Sequence, residues 1–375
     1  MRLAVSLKLA KLMGYLSRKL LHKSGETIPG KVLLTIYPRA LIVLSQAREI
    51  ALVSGTNGKT STTKALSEVV SQLGTTVSNK TGSNLDRASA TTLMSPSQYA
   101  VLEVDELYLP RLIAETKPRV VLLLNLSRDQ LHRMHEVKRV AKRWKAAVDA
   151  APDTVFVGDV DDPFIGYALS DAANSVRVSF GGRRHGDGAV CPACGKYLQW
   201  NRDNYSCSCG LSNKNFDLER RAGLAAFRNA ELANIAGAVL GAPSISFAPA
   251  VLERVIERKV SGIDCSIRLV KNPASWSEAL TSVKGESVVL ILNARQVDGL
   301  DTSWLWDVSF EALRGKNVAI CGERAIDISY RLHVAGIENW LEADLPGALT
   351  HFNGASSVEV LAAYTAFFKL SLIHI

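Results

Sequence analysis

At 375 residues, with 47% hydrophobic and 21% charged residues, the chain is long enough for two or three domains. Its composition is too ordinary for a disordered, collagen-like or coiled-coil protein. No apolar run approaches the roughly 18 to 20 residues that span a bilayer. The net charge of +8 does not mark a nucleic-acid-binding body: residues 1–50 hold nine Lys/Arg against two acids, and nine minus two leaves +7 there and about +1 for the rest.

The N-terminal arm, residues 1–45 with its lead-in helix, repeats Leu, Val and Met at helical spacing among basic residues. Lys8 and Lys11 interrupt its apolar centre and no small-residue cleavage site follows, so it does not read as a signal peptide. Two readings stand side by side. In one, an amphipathic helix lies near an anionic membrane face; in the other, its apolar side packs on the body and leaves a solvated basic face.

Residues 49–63, EIALVSGTNGKTSTT, join an apolar strand over 50–54 to a glycine turn and a helix running to about 73. Strand, loop and helix in this order make a phosphate-binding loop. Its members are Gly55, Thr56, Asn57, Gly58, Lys59, Thr60 and Ser61, with Lys59 reaching toward ATP phosphates and the Thr60 hydroxyl suited to magnesium. The usual first glycine of such a loop is replaced by Val53.

Further strands are predicted near 75–79, 99–104, 120–126 and 154–158. The strand at 99–104 ends in Glu103, Asp105 and Glu106. Strand carboxyl ends gather ligands in a parallel sheet, although an acidic strand end by itself reads as a solvated rim. Strands alternating with helices over 46–260 predict a mostly parallel α/β domain with right-handed crossovers.

Four of six cysteines fall within nineteen residues as C-x2-C-x12-C-x-C: Cys191, Cys194, Cys207 and Cys209, with Gly195 and Gly210 just after the pairs. This spacing predicts a structural zinc ribbon inserted over about 185–215, its four sulfurs leaving no open position for catalysis. Disulfides are the alternative, which the absence of an export signal and a cytoplasmic setting disfavour. Cys265 and Cys321 read as buried thiols. Residues 261–375, with strands at 287–293 and 317–321 and a helix near 323–335, read as a smaller Rossmann-like domain.

Gly55-Thr56-Asn57-Gly58-Lys59-Thr60 after an apolar strand resembles the central domain of the Mur ligase superfamily, which includes folylpolyglutamate synthetase. Those enzymes phosphorylate a carboxylate with ATP, and an amine then displaces phosphate. The resemblance gives Glu103 the role of magnesium ligand. It also matches Asn125 and Asp129 to residues lining the magnesium site, with Gln130 where many relatives carry His, and it matches Asp161-Asp162-Pro163 to a family turn. His132 and His135 read as polar lining, and Gly82-Ser83-Asn84 as loop material near substrate or nucleotide.

The cysteine insertion, the form Arg128-Asp129-Gln130-Leu131, and Asp298-Gly299-Leu300-Asp301-Thr302-Ser303-Trp304 followed by Trp306-Asp307 together resemble the MurT family, synthetase subunits of lipid II isoglutaminyl synthases. The resemblance implies a GatD-type glutamine amidotransferase partner that supplies ammonia, and amidation of the D-glutamate α-carboxyl of the lipid II stem peptide. It further implies that Asp301 completes the partner's catalytic triad; by itself Asp301 reads as a helix N-cap. A cytoplasmic location follows as an expectation, with the inner face of the plasma membrane as a candidate contact for the arm.

The family's paired asparagines near adenine are altered here. Asn229 and Asn234 stand five apart, off a common helix face, and Asn234 fits the surrounding pattern better. Two alternatives are a ligase adding an amino acid to a carboxylate, and a P-loop protein whose ribbon grips nucleic acid. The first leaves the segment around Asp301 unexplained, and the second conflicts with the near-neutral body.

Overall fold

The computed structural model describes residues 2–21, 27–79, 84–128, 137–182, 186–247, 255–295 and 298–372. The expected positions Asp129, Gln130, His132, His135, Gly82 and Ser83 lie outside the described residues. The chain divides into two units, 1–126 with 137–252, and 127–136 with 253–375. Among the described residues, no helix is long and apolar enough to cross a membrane.

In the first unit the apolar runs become strands β1 (Glu49–Ser54), β2 (Thr76–Ser78), β3 (Tyr99–Glu103), β4 (Val120–Leu123), β5 (Val155–Asp159) and β6 (Ser175–Ser179). A short hairpin, β7 (Gln199–Asn201) and β8 (Asn204–Ser206), precedes β9 (Leu218–Glu219). Seven strands form one parallel sheet in the order β2-β3-β1-β4-β5-β6-β9. Strands this apolar suit a sheet covered on both faces. The helices Lys59–Val70 and Ala225–Val239 cover one face together, with Leu66, Val70, Leu232 and Ala236 packed on Val53, Val101 and Leu122. Gly237 permits their close approach, since a Cβ there would stand 2.3 Å from Val69 Cγ1.

β1 lies between β3 and β4, so the ends of these three strands open at the centre of the sheet. Whatever follows β1 is therefore flanked by the segments after β3 and β4. This placement positions the candidate site.

In the second unit β10 (Val255–Val260), β11 (Ile263–Leu269), β12 (Ser287–Ile291), β13 (Asn317–Cys321), β14 (Trp340–Leu341) and β15 (Ser357–Ala362) form a sheet in the order β10-β11-β15-β12-β13-β14. All neighbours run parallel except β10 and β11. The boundary expected at 260/261 falls in the tight turn of that hairpin, where Ser261 and Gly262 both take positive φ, and both of its strands belong to the second sheet. Helix Pro273–Ser282 begins with Asn272, whose side chain accepts from the Ser275 N–H while Ser275 reaches back to the Asn272 backbone. Cys265 and Cys321 are buried in the core against Val289, Val360 and Phe367, and burial pushes their thiols up to about 11 and about 12.

Candidate active site

The turn after β1 adopts a geometry its glycines make possible. Gly58 has φ of +82°, and a Cβ there would stand 2.1 Å from Asn229 Nδ2. Gly55 packs on Leu124, where a Cβ would come within 2.8 Å of the Leu124 Cβ. Asn125, after β4, locks the turn from its other side. Its carbonyl accepts from Thr56 N–H at 2.9 Å, its Oδ1 accepts from Asn57 N–H at 2.9 Å, and its Nδ2 donates to the Asn57 carbonyl at 3.0 Å. Helix Lys59–Val70 then starts at Lys59, and Thr62 Oγ1 donates to the Gly58 carbonyl at 2.8 Å. Thr60 and Ser61 fall in its first turn, whose backbone N–H groups have no intrahelical acceptor.

Lys59 is 8% exposed. Its ammonium donates to the Gly55 carbonyl, lies 3.3 Å from the Thr56 carbonyl, and forms an ion pair with Glu106 Oε1 at 3.2 Å. The three acids after β3 are not a solvated rim: Glu103, Asp105 and Glu106 are all buried. Each is built in differently. Asn79 brackets the Glu103 backbone, accepting from its N–H at 2.7 Å and donating to its carbonyl at 2.8 Å. Asp105 Oδ1 accepts from Leu107 N–H. The Glu106 carbonyl accepts from the indole N–H of Trp144, itself fully buried, at 2.9 Å.

The two asparagines of helix Ala225–Val239 separate cleanly. Asn229 lies against Gly58 of the turn. Asn234 spends both ends of its amide on Ile245, donating to its carbonyl and accepting from its N–H, each at 3.0 Å. Beside Asn229, Arg228 is buried over the Phe180 ring and bridges Asp159 and Asp161. Burial pushes the Asp159 carboxyl up to about 6 despite that guanidinium. Asp162 caps helix Pro163–Ala168 and accepts from Leu126 N–H. The Asp-Asp-Pro turn is thus a brace among strand ends. Its clue in the sequence was the single arginine of helix Ala225–Val239 together with the acid-rich segment Asp159-Val160-Asp161-Asp162.

The four cysteines converge. All four sulfurs lie within 4.8 Å of one another, with Cys191–Cys209 at 3.7 Å and Cys194–Cys207 at 3.4 Å. Four thiolates about 2.3 Å from one ion would stand roughly 3.8 Å apart, so the donor set fits a tetrahedral metal. A disulfide would need about 2.05 Å, and all four are free thiols. Each pair ends in a left-handed glycine, Gly195 at +80° and Gly210 at +94°. Their N–H groups close the turns onto the Cys191 and Cys207 carbonyls. Tyr205 of the hairpin anchors the insertion to the sheet domain, its hydroxyl donating to the Val160 carbonyl at 2.9 Å. Asn213 donates to Asp161.

In the second unit, Asp298 pins its loop to the final helix, Tyr364–Leu372, accepting from Thr365 N–H and Thr365 Oγ1, each at 2.7 Å. Asp301 is exposed, and its Oδ1 accepts from Ser303 N–H at 2.8 Å at the start of the 3-10 helix Ser303–Asp307. Thr302 next to it donates to Asp327 on helix Ala325–Val334. Arg128 and Asp307, far apart in sequence, pair at 2.8 Å.

Residues 53–208 match the Mur ligase middle domain, and residues 269–367 match the MurT ligase C-terminal domain. In both segments the chain is similar to the MurT family. It is 26% identical to the MurT subunit of lipid II isoglutaminyl synthase (glutamine-hydrolyzing) from Streptococcus pneumoniae over 374 residues, which cover 83% of each chain. It is likewise 26% identical to the subunit of the same name from Staphylococcus aureus, over 90% of this chain and 89% of the relative. The fold resembles that of a pseudomurein peptide ligase type C from Methanothermus fervidus, with a TM-score of 0.64 at 16% identity, covering 87% of this chain and 78% of that one.

Proposed function

We propose that this chain is the synthetase subunit of a lipid II isoglutaminyl synthase, amidating the D-glutamate α-carboxyl of the stem peptide. The observation that carries the reading is the buried Lys59 of a phosphate loop, set against the acids after β3 in a chain that also bears a MurT-type C-terminal domain. The family names support the reaction, and the Mur ligase fold supports ATP as the energy source.

The carboxylate oxygen attacks the γ-phosphorus of ATP, the bond to the β-phosphate oxygen breaks, and ADP leaves. Ammonia then attacks the acyl carbon, loses a proton to solvent or a nearby base, and expels phosphate to leave the amide. Gly55, Thr56, Asn57, Gly58, Thr60 and Ser61 wrap the phosphates, and Lys59 exchanges Glu106 for them. Thr60 and Glu103 supply the oxygen donors that magnesium takes, and the ion would neutralise charge on the phosphates. Asn229, lying against Gly58, is better placed toward the nucleotide than Asn234.

Ammonia comes from a GatD-type glutaminase partner, because at neutral pH most free ammonia is non-nucleophilic ammonium. Delivery beside the acyl phosphate raises its effective concentration and protects the intermediate from water. Exposed Leu300, Trp306, Ile326 and Tyr330 around the Asp301 turn support docking of that partner, with Asp301 orienting its histidine. The cysteine cluster holds structural zinc.

The test is mass spectrometry of lipid II incubated with the protein, magnesium ATP and ammonium or glutamine, with and without a GatD-type subunit. One carboxyl becomes an amide, and glutamine serves only with the partner present. Addition of a supplied amino acid in place of amidation would move the assignment to a peptide-type ligase.

A further inference from the structure

The N-terminal helix Arg2–Leu21 is mounted the opposite way from an ordinary amphipathic helix. Its buried face is its small-residue face: Ser6, Ala10, Gly14 and Ser17, at helical spacing, are all buried. That face packs on helix Ile28–Ile36, and Gly14 allows the contact, since a Cβ there would stand 2.6 Å from Pro29 Cγ. Leu3 and Leu7 fill the margin of this small cluster around Leu33 and Ala40.

Five large apolar side chains lie off this face. Val5 is 60% exposed, Leu12 52% and Leu9 42%, with Met13 and Tyr15 also exposed. On a helical projection Val5, Leu9, Leu12 and Met13 form one strip, with exposed Lys8 and Lys19 along its edge and exposed Lys11 farther round on the same side. The helix contains no acid. Solvated helices normally bury their leucines and expose their small and polar residues; the reversal needs an outside partner for the strip.

We propose that this face rests on an anionic phospholipid bilayer, the apolar strip entering the headgroup boundary while the three lysines meet lipid phosphates. A strip of aliphatic side chains edged by unopposed lysines is the pattern that partitions into such an interface. A second copy of the same face fits poorly, because two-fold pairing would set lysines against lysines with no acid to offset them. The inference rests on this helix and does not depend on the reaction assigned to the site.

The test is co-sedimentation of the full chain with phosphatidylglycerol/phosphatidylcholine vesicles and with phosphatidylcholine vesicles. Binding is expected to the anionic vesicles, weakening as salt rises. Lys8→Gln, Lys11→Gln and Lys19→Gln should each lower the partition coefficient roughly fivefold. The Leu9→Glu/Leu12→Glu variant should abolish binding while keeping the wild-type melting temperature, because both side chains are exposed. Equal binding to neutral vesicles, no binding to either, or binding unaffected by Leu9→Glu/Leu12→Glu would overturn the proposal. So would concentration-dependent dimerisation that this variant abolishes in the absence of vesicle binding.

Discussion

Lys59 and Glu106 form an ion pair, Nζ to Oε1 at 3.2 Å, in which the side chains are only 9% and 4% exposed. The same ammonium is held by the carbonyls of Gly55 and Thr56; under the proposed function, phosphate oxygens would offer it a more highly charged acceptor than Glu106.

Lys59→Ala and Glu103→Ala should each lower amidation by more than about a hundredfold even with ammonium supplied, since both act before nitrogen enters. Lys59→Ala should also destabilise the fold by about 3 kcal/mol, because it leaves Glu106 buried without its cation. The double variant Lys59→Met/Glu106→Gln removes both charges and should recover much of the melting temperature while staying inactive. Recovery of activity in that double variant would show that Lys59 serves the fold alone.

The asparagines of helix Ala225–Val239 make a second comparison. Asn229→Ala should raise the KM for ATP with little change in melting temperature. Asn234→Ala should cost about 1–3 kcal/mol of stability, through two lost hydrogen bonds to Ile245, and leave that KM unchanged. Thermal unfolding and ATP titration of both variants read the difference; an Asn234 effect on KM alone would reverse the assignment.

Gly58→Ala places a methyl group where Asn229 stands and strains a φ of +82°. Isothermal titration should find nucleotide affinity lost. Pairing it with Asn229→Ala, which clears the steric overlap but not the strain, should restore only part of it.

Asp301→Asn should remove glutamine-driven activity and spare ammonium-driven activity, as measured with both nitrogen sources in the presence of the partner. Equal loss with both would place Asp301 in the synthetase chemistry or the fold.

Elemental analysis should find one zinc per chain, lost in Cys194→Ser and Cys207→Ser. Chelation should lower the melting temperature. It should also raise the KM for ATP modestly, because Asn213 links the insertion to Asp161, which holds Arg228 beside Asn229. A metal-free protein that melts identically in chelator would remove the metal from the account.

Much of the sheet was legible. The strands over 49–54, 99–103 and 317–321 are short apolar runs bounded by turns, and a run of that kind has few other places to go. β10, β11 and β15 were missed: three consecutive exposed charges, Glu257, Arg258 and Lys259, break β10, Asp264 and Arg268 interrupt β11, and Glu359 splits the short apolar stretch of β15. The arm was read as helical, but not which face it buries. That face is chosen by Pro29 and Leu33 of the next helix, which accept only small residues at close approach.

The sequence by itself determined the glycine turn before Lys59, the cysteine quartet and the likeness to the MurT family, because each depends on residues close together along the chain, where spacing and chemistry are one statement. Only the tertiary structure decided that Glu106 holds Lys59, that Asn229 and not Asn234 lies against the loop, that the Asp161 carboxylate braces a buried arginine, and that the first helix leaves Val5, Leu9 and Leu12 exposed. Each of these depends on which strand neighbours which and which helix face meets the body, and such long-range choices are made by packing, which leaves no local mark in the order of residues.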